Sequence, residues 1–241
     1  MTLWTVVMPI LALAALTALV YRITLSTSKR TRDILLSLLT LFICLLINTP
    51  ELYESLDGLL GAKNFTYLAV QITWCLFLHL LASAILCTRA KARLVSLVLL
   101  LATVATQLVS SIALSGHSAT NYRILDYREA ASAATLTMST NIYSALVAVL
   151  LAIHLLRSAV SDEVPRQKTR RVGFALTGTG LLIGDLAAVE RILFANSTGT
   201  HLFLDGSLVL SALVLILLGL ISTFVDVRRH RSSTKTQVER A

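Results

Sequence analysis

The chain has 241 residues, of which 56% are hydrophobic and 14% charged, and it carries a formal net charge of +8. Apolar runs long enough to cross a ~30 Å hydrocarbon core take up most of that length, which leaves no room for a separate soluble domain. The basic residues cluster beside those runs, a placement that serves membrane topology and anionic lipid rather than nucleic acid.

Seven apolar stretches are predicted as transmembrane helices. The first, Leu3–Val20, has no positive segment ahead of it, since the first basic residue is Arg22. It is therefore expected to stay as an anchor rather than be cleaved as a signal. Arg22, Lys29, Arg30 and Arg32 separate it from the second stretch, Ile34–Thr49, which Pro50 closes. The connection Pro50–Asn64 carries Glu51, Glu54 and Asp57 ahead of Gly58 and Gly61, and is expected to form an acidic rim. Phe65–Cys87 follows, then Arg89, Lys91 and Arg93, then Leu94–Leu114. The segment Ser115–Thr137 holds Tyr122, Arg123, Asp126, Tyr127, Arg128 and Glu129, the mixed aromatic character of a short interfacial helix. Met138–Leu156 leads into Ser158–Arg171, acidic at Asp162 and Glu163 and basic at Arg166, Lys168, Arg170 and Arg171. Val172–Phe194 and Phe203–Val225 complete the set, and a basic tail runs from Asp226.

The connections alternate in positive charge. Of the 21 Lys and Arg residues, only Lys63, Arg123, Arg128 and Arg191 fall on the side opposite the tail. Positive charge is retained on the cytoplasmic face. The predicted fold is therefore all-α, a polytopic membrane bundle of seven transmembrane helices with the N-terminus out and the C-terminus in. The bundle covers residues 1–225 and a short cytoplasmic tail covers 226–241. The expected location is the plasma membrane, as a multi-pass protein of the bacterial cytoplasmic membrane.

Polar groups inside the spans carry the functional information, because a charged side chain at the centre of a span costs about 2.5–3.5 kcal/mol to insert. Asp185 lies near the middle of Val172–Phe194, with Glu190 and Arg191 in its outer third. The same stretch carries Gly173, Thr177, Gly180, Gly184 and Ala187 at spacings of three and four, which permits close helix approach. In Phe65–Cys87, Tyr67, Gln71, Cys75, His79 and Ser83 recur every four residues and wind along one face. Gln107 and Asn141 add polar groups to the next two spans. Gln71, Gln107, Asn141, Asp185, Glu190 and Arg191 fall in the outer half, and with His79 they are the candidate ligand-binding or coupling residues. Their placement predicts a pocket opening outward rather than a polar path across the membrane.

Other chemistry is not expected. The five lysines Lys29, Lys63, Lys91, Lys168 and Lys235 all lie in connections or the tail, so no Schiff-base lysine sits in the last span. The histidines are scattered in depth without paired ligand spacing, so no metal site is predicted. No nucleophile motif is present, and the chain reads as a non-enzyme without a cofactor. Cys44, Cys75 and Cys87 fall within spans or at an inner end, where they read as small packing residues.

The segment from Asn48 to Asn64 resembles a pattern of actinobacterial seven-helix integral membrane proteins. In that family a proline closes helix 2, an aspartate precedes a short Leu-rich stretch and a glycine, and an asparagine opens helix 3; Pro50, Asp57, Gly61 and Asn64 match it. A basic inner connection before a span bearing Glu190-Arg191 is similar too. The family is usually described as transporters or as uncharacterised membrane proteins. It is often encountered beside helix-turn-helix regulators or small zinc-protease-like proteins, which implies signalling.

The residues and the resemblance together predict a receptor-like sensor. A small extracellular ligand would enter the outward pocket, and the inner connections would pass the change to a separate cytoplasmic regulatory protein. A small-solute or proton-coupled transporter and a membrane scaffold are the alternatives.

Overall fold

The structure, a computed structural model, describes residues 3–23, 29–61, 64–86, 90–114, 131–161, 168–193 and 207–223. Those residues form eight α-helices and no strand: α1 (Leu3–Ile23), α2 (Lys29–Ile47), α3 (Pro50–Leu59), α4 (Phe65–Ile85), α5 (Ala90–Leu114), α6 (Ala131–Val160), α7 (Lys168–Leu193) and α8 (Ser207–Thr223). Among them α1, α4, α5, α6 and α7 are each long and apolar enough to cross a membrane. The count becomes six if α2 and α3 together make one broken span, and α8 is a shorter apolar helix. The described residues are thus all-helical, and their length and composition suit several membrane crossings.

The break between α2 and α3 follows from Pro50. The residue before a proline is driven out of the helical region, and Thr49 is extended at φ −76°, ψ 134°. Pro50 then opens α3, where its missing N–H costs nothing. The two helix axes differ by 86°. The connection expected as an acidic rim is therefore mostly helix. Glu51 and Glu54 are exposed on it, whereas Asp57 and Tyr53 are completely buried.

Asp57 faces inward because it caps α4. Its Oδ2 accepts the Asn64 backbone N–H at 3.0 Å and its Oδ1 accepts the Thr66 N–H at 3.1 Å. The first amides of a helix have no partner within it, and negative charge is favoured there. Two residues with positive φ bring the chain back to that point, Gly61 at φ 89° and Asn64 at φ 59°. Tyr53 closes the corner with Tyr67, Leu68 and Leu136 in a small apolar cluster. Pro50, Asp57, Gly61 and Asn64 thus all have a structural role in one corner.

The main core joins α1, α2, α4, α5, α6, α7 and α8, with Ala15, Leu38, Leu41, Phe77, Leu78 and Leu151 among its most buried members. α6 is central to the part that concerns function: it packs on α4, α5 and α7. α5 is the least buried of the long helices, and Leu94, Val98, Leu101, Val109 and Ile112 leave an apolar face open for lipid. Helices α6 and α7 both extend past the apolar stretches that foretold them. Lys168, Arg170 and Arg171 form the first turn of α7, and Arg171 Nη2 donates to the Ser161 carbonyl at 2.9 Å, just beyond the end of α6.

Glycine sets the spacing of α7. A Cβ on Gly173 would stand 2.8 Å from the Gly219 carbonyl oxygen, and one on Gly219 would stand 2.6 Å from the Gly173 oxygen. Gly180 meets the Ala212 carbonyl in the same way at 2.9 Å, and Gly178 meets Leu156 of α6 at 2.9 Å. α7 is thereby held backbone-close to α8 on one side and against α6 on another.

Candidate functional site

The candidate residues divide between two seams, one on each side of α6. The first seam joins α4, α5 and α6 by side-chain hydrogen bonds. Tyr67 Oη and Thr137 Oγ1 lie 3.0 Å apart, and Trp74 Nε1 donates to Ser144 Oγ at 2.9 Å. Gln107, fully buried on α5, donates from Nε2 to Thr140 Oγ1 at 2.7 Å and reaches Cys75 Sγ at 3.7 Å. His79 Nδ1 bonds Ser96 Oγ at 3.0 Å. The four-residue stripe of α4 is therefore chiefly a helix-to-helix ladder. Its polar groups satisfy one another inside the bundle, as buried polar groups must.

Gln71 belongs to the same face and is half-buried, without a side-chain hydrogen bond among the described residues. Gln107 keeps one loose end: its Oε1 is buried with no partner among the described residues. Thr137, Thr140 and Ser144 are the partners that sequence reading missed. They stood in plain view as three polar residues at spacings of three and four on α6, the spacing of a helix face.

The second seam is that of α6 and α7. Asp185 lies two helical turns from Gly178 and so on the same face of α7, the one that meets Ala152 and Leu156 of α6. Only 7% of its surface is exposed, and neither carboxylate oxygen has a hydrogen-bond partner among the described residues. On α6, Asn141 shares the face of Ala145, Ala152 and Leu156 and is buried as well. Glu190 is half-buried further along α7. The side chain of Arg191 lies outside the described residues, as do Cys87, the 115–130 segment and the 224–241 tail.

The two seams differ in chemistry. The α4–α5–α6 seam is made of neutral donors and acceptors, most of them bonded to one another, and is suited to fixing helix positions. The α6–α7 seam holds a carboxylate with no hydrogen-bond partner among the described residues, suited to receiving a cation or a hydrogen-bond donor.

A cleft of about 250 Å³ opens where α4 ends and α5 begins, lined by His79, Ser83, Ala90, Arg93, Leu94 and Leu97. It lies at the end marked by Arg89, Lys91 and Arg93, opposite the end where an outward pocket was expected. Of the candidate residues only His79 reaches it. Among the described residues no group of three or more His, Cys, Asp or Glu could hold a metal ion.

Comparison with known proteins returned no matching family model, no matching curated protein and no matching solved structure.

Proposed function

We propose that this multi-pass membrane protein is a receptor-like sensor, with seven spans, the N-terminus outside and the basic connections inside. The observation that carries the reading is Asp185, a carboxylate only 7% exposed, with neither oxygen hydrogen-bonded among the described residues. An intramembrane ionisable group is expensive, and its default explanation is function. In this reading a small extracellular ligand bearing a cationic or hydrogen-bond-donating group engages Asp185, with Asn141 and Glu190 as further polar groups on the same two helices.

The tight glycine contacts of α7 support a mechanical route. A helix gripped on two sides moves as a rod rather than by local bending, and shifts of 1–2 Å are the usual scale of such steps. Displacement at Asp185 would reach the basic first turn of α7, where Arg171 is tied to Ser161. That turn and the 158–171 connection are the proposed contact for a cytoplasmic regulatory protein. The role is non-catalytic and needs no cofactor.

The transporter reading also uses Asp185 but requires a continuous polar route. The neutral ladder of the α4–α5–α6 seam favours the sensor, because its groups are committed to one another. The test is a deletion strain complemented with the wild type or with Asp185→Asn. The sensor predicts normal membrane abundance of Asp185→Asn together with the transcriptional profile of the deletion. A wild-type profile in that strain, or solute uptake by wild-type proteoliposomes, overturns it.

A further inference from the structure

The cleft where α4 meets α5 adjoins the first seam at His79, lies away from the carboxylate of the second, and is of the opposite sign to it. We propose that it is a binding site for the phosphate headgroup of an anionic phospholipid, with an acyl chain laid along α5. The inference does not depend on the sensor role.

Three side chains supply the headgroup contacts. Arg93 is exposed, lines the cleft and forms no ion pair with a carboxylate among the described residues. Its planar fork of N–H donors matches a phosphate. Ser83 is 6% exposed, lines the same cleft, and its hydroxyl makes no hydrogen bond among the described residues. A hydroxyl that lines a cleft without a protein partner is a donor open to an acceptor that enters it. His79 is held through Nδ1 by Ser96, and when Ser96 donates that bond the other ring nitrogen carries a hydrogen. Arg93 of α5 and Asp33 of α2 both lie within electrostatic reach of His79, so Arg93 must outweigh one carboxylate. The first-turn amides of α5, which begins at Ala90, add to the positive side.

The apolar part of the cleft identifies the source of the phosphate. Leu94 and Leu97 form its wall, and Leu94, Leu97, Val98 and Leu101 continue as an exposed apolar face along α5. A soluble phosphate has no use for that face. A lipid uses both ends, with its charge on Arg93 and Ser83 at the interface and its chain on the leucines.

Native mass spectrometry of the full chain, released from detergent with defined lipids, tests this. The probes are phosphatidylglycerol, phosphatidylethanolamine of the same chain length, and glycerol 1-phosphate. The wild type should retain phosphatidylglycerol about tenfold better than phosphatidylethanolamine, the scale of one charge-assisted hydrogen bond. Arg93→Gln should bring that ratio near one and Ser83→Ala should lower it partway. Lys91→Gln, which removes an equally exposed charge that does not line the cleft, should leave it unchanged. Equal retention of the two lipids by the wild type overturns the proposal whatever the variants do. So does an equal loss in Lys91→Gln and Arg93→Gln, which would mean diffuse surface charge. Glycerol 1-phosphate binding as well as phosphatidylglycerol would overturn the lipid as the source.

Discussion

Asp57 and Asn64 close the corner between α3 and α4: a fully buried carboxylate oxygen accepts a backbone N–H at 3.0 Å from a residue in the left-handed region. Asp185 is the counterpart that lacks such a bond among the described residues, buried to 7% exposure with neither oxygen partnered there. One aspartate is built into the fold and the other is stored against it.

The same substitution should therefore act in opposite directions at the two sites. Asp57→Asn leaves one of the two capped amides facing a donor and should cost about 1–3 kcal/mol. Asp185→Asn removes a charge that has no partner and should leave stability equal or higher. Thermal unfolding in detergent reads both. A Tm drop for Asp185→Asn as large as that for Asp57→Asn would mean that Asp185 is a structural partner. Glu51→Gln and Glu54→Gln, on the exposed side of α3, should stay within about 0.5 kcal/mol of the wild type.

The glycines of α7 and α8 should rank by what a methyl group would strike. Gly219→Ala places a Cβ against Thr177 and 2.6 Å from the Gly173 carbonyl oxygen, where only movement of the two backbones can relieve it. It should destabilise the bundle by about 2 kcal/mol or more. Gly184→Ala meets only the Ala212 Cβ at 3.6 Å, an ordinary contact. It should be neutral or gain up to about 1 kcal/mol from helix propensity. Equal effects of the two changes would show that α7 and α8 are not held at this separation.

Gln107 offers a test of the polar ladder. Gln107→Ala opens a cavity and removes the bond to Thr140, and should cost about 2–4 kcal/mol. Gln107→Met keeps the volume and removes the orphaned Oε1, while Thr140 retains its bond to the Leu136 carbonyl at 3.2 Å. Its cost should stay below about 1.5 kcal/mol. If Met is as damaging as Ala, a buried water or ligand on Oε1 is the better account of that residue.

Orientation has its own test. Reporter fusions at Lys63 and at Lys168 should behave as outside and inside, and a fusion at Ala241 as inside, following the charge of the connections. Activity of a periplasm-only reporter at Ala241 would reverse the bundle and place the cleft of Arg93 at the outer surface.

Much of the architecture was legible because the bilayer imposes a simple rule. A span must be apolar for about 20 residues and must satisfy its backbone internally, so helix positions follow from hydropathy alone. Pro50 likewise announced the end of α2, since a proline constrains its predecessor wherever it stands. The small residues of α7 announced close packing, though not which of them meets α6 and which meets α8.

What only the tertiary structure decided is the fate of each polar side chain. Gln71 and Gln107 were grouped with Asp185 by depth in the membrane. In the bundle α6 stands between them, because helix rotation and neighbour identity are set by packing and not by depth. Asp57 looked like surface charge and became a buried cap, since the left-handed turn at Asn64 folds the α4 amides back onto it. Asp57 stands in a polar connection and Asp185 in an apolar span, so the sequence marks only Asp185 as costly. The positions of backbone donors, which the sequence does not show, decide that Asp57 is satisfied and that Asp185 has no partner among the described residues.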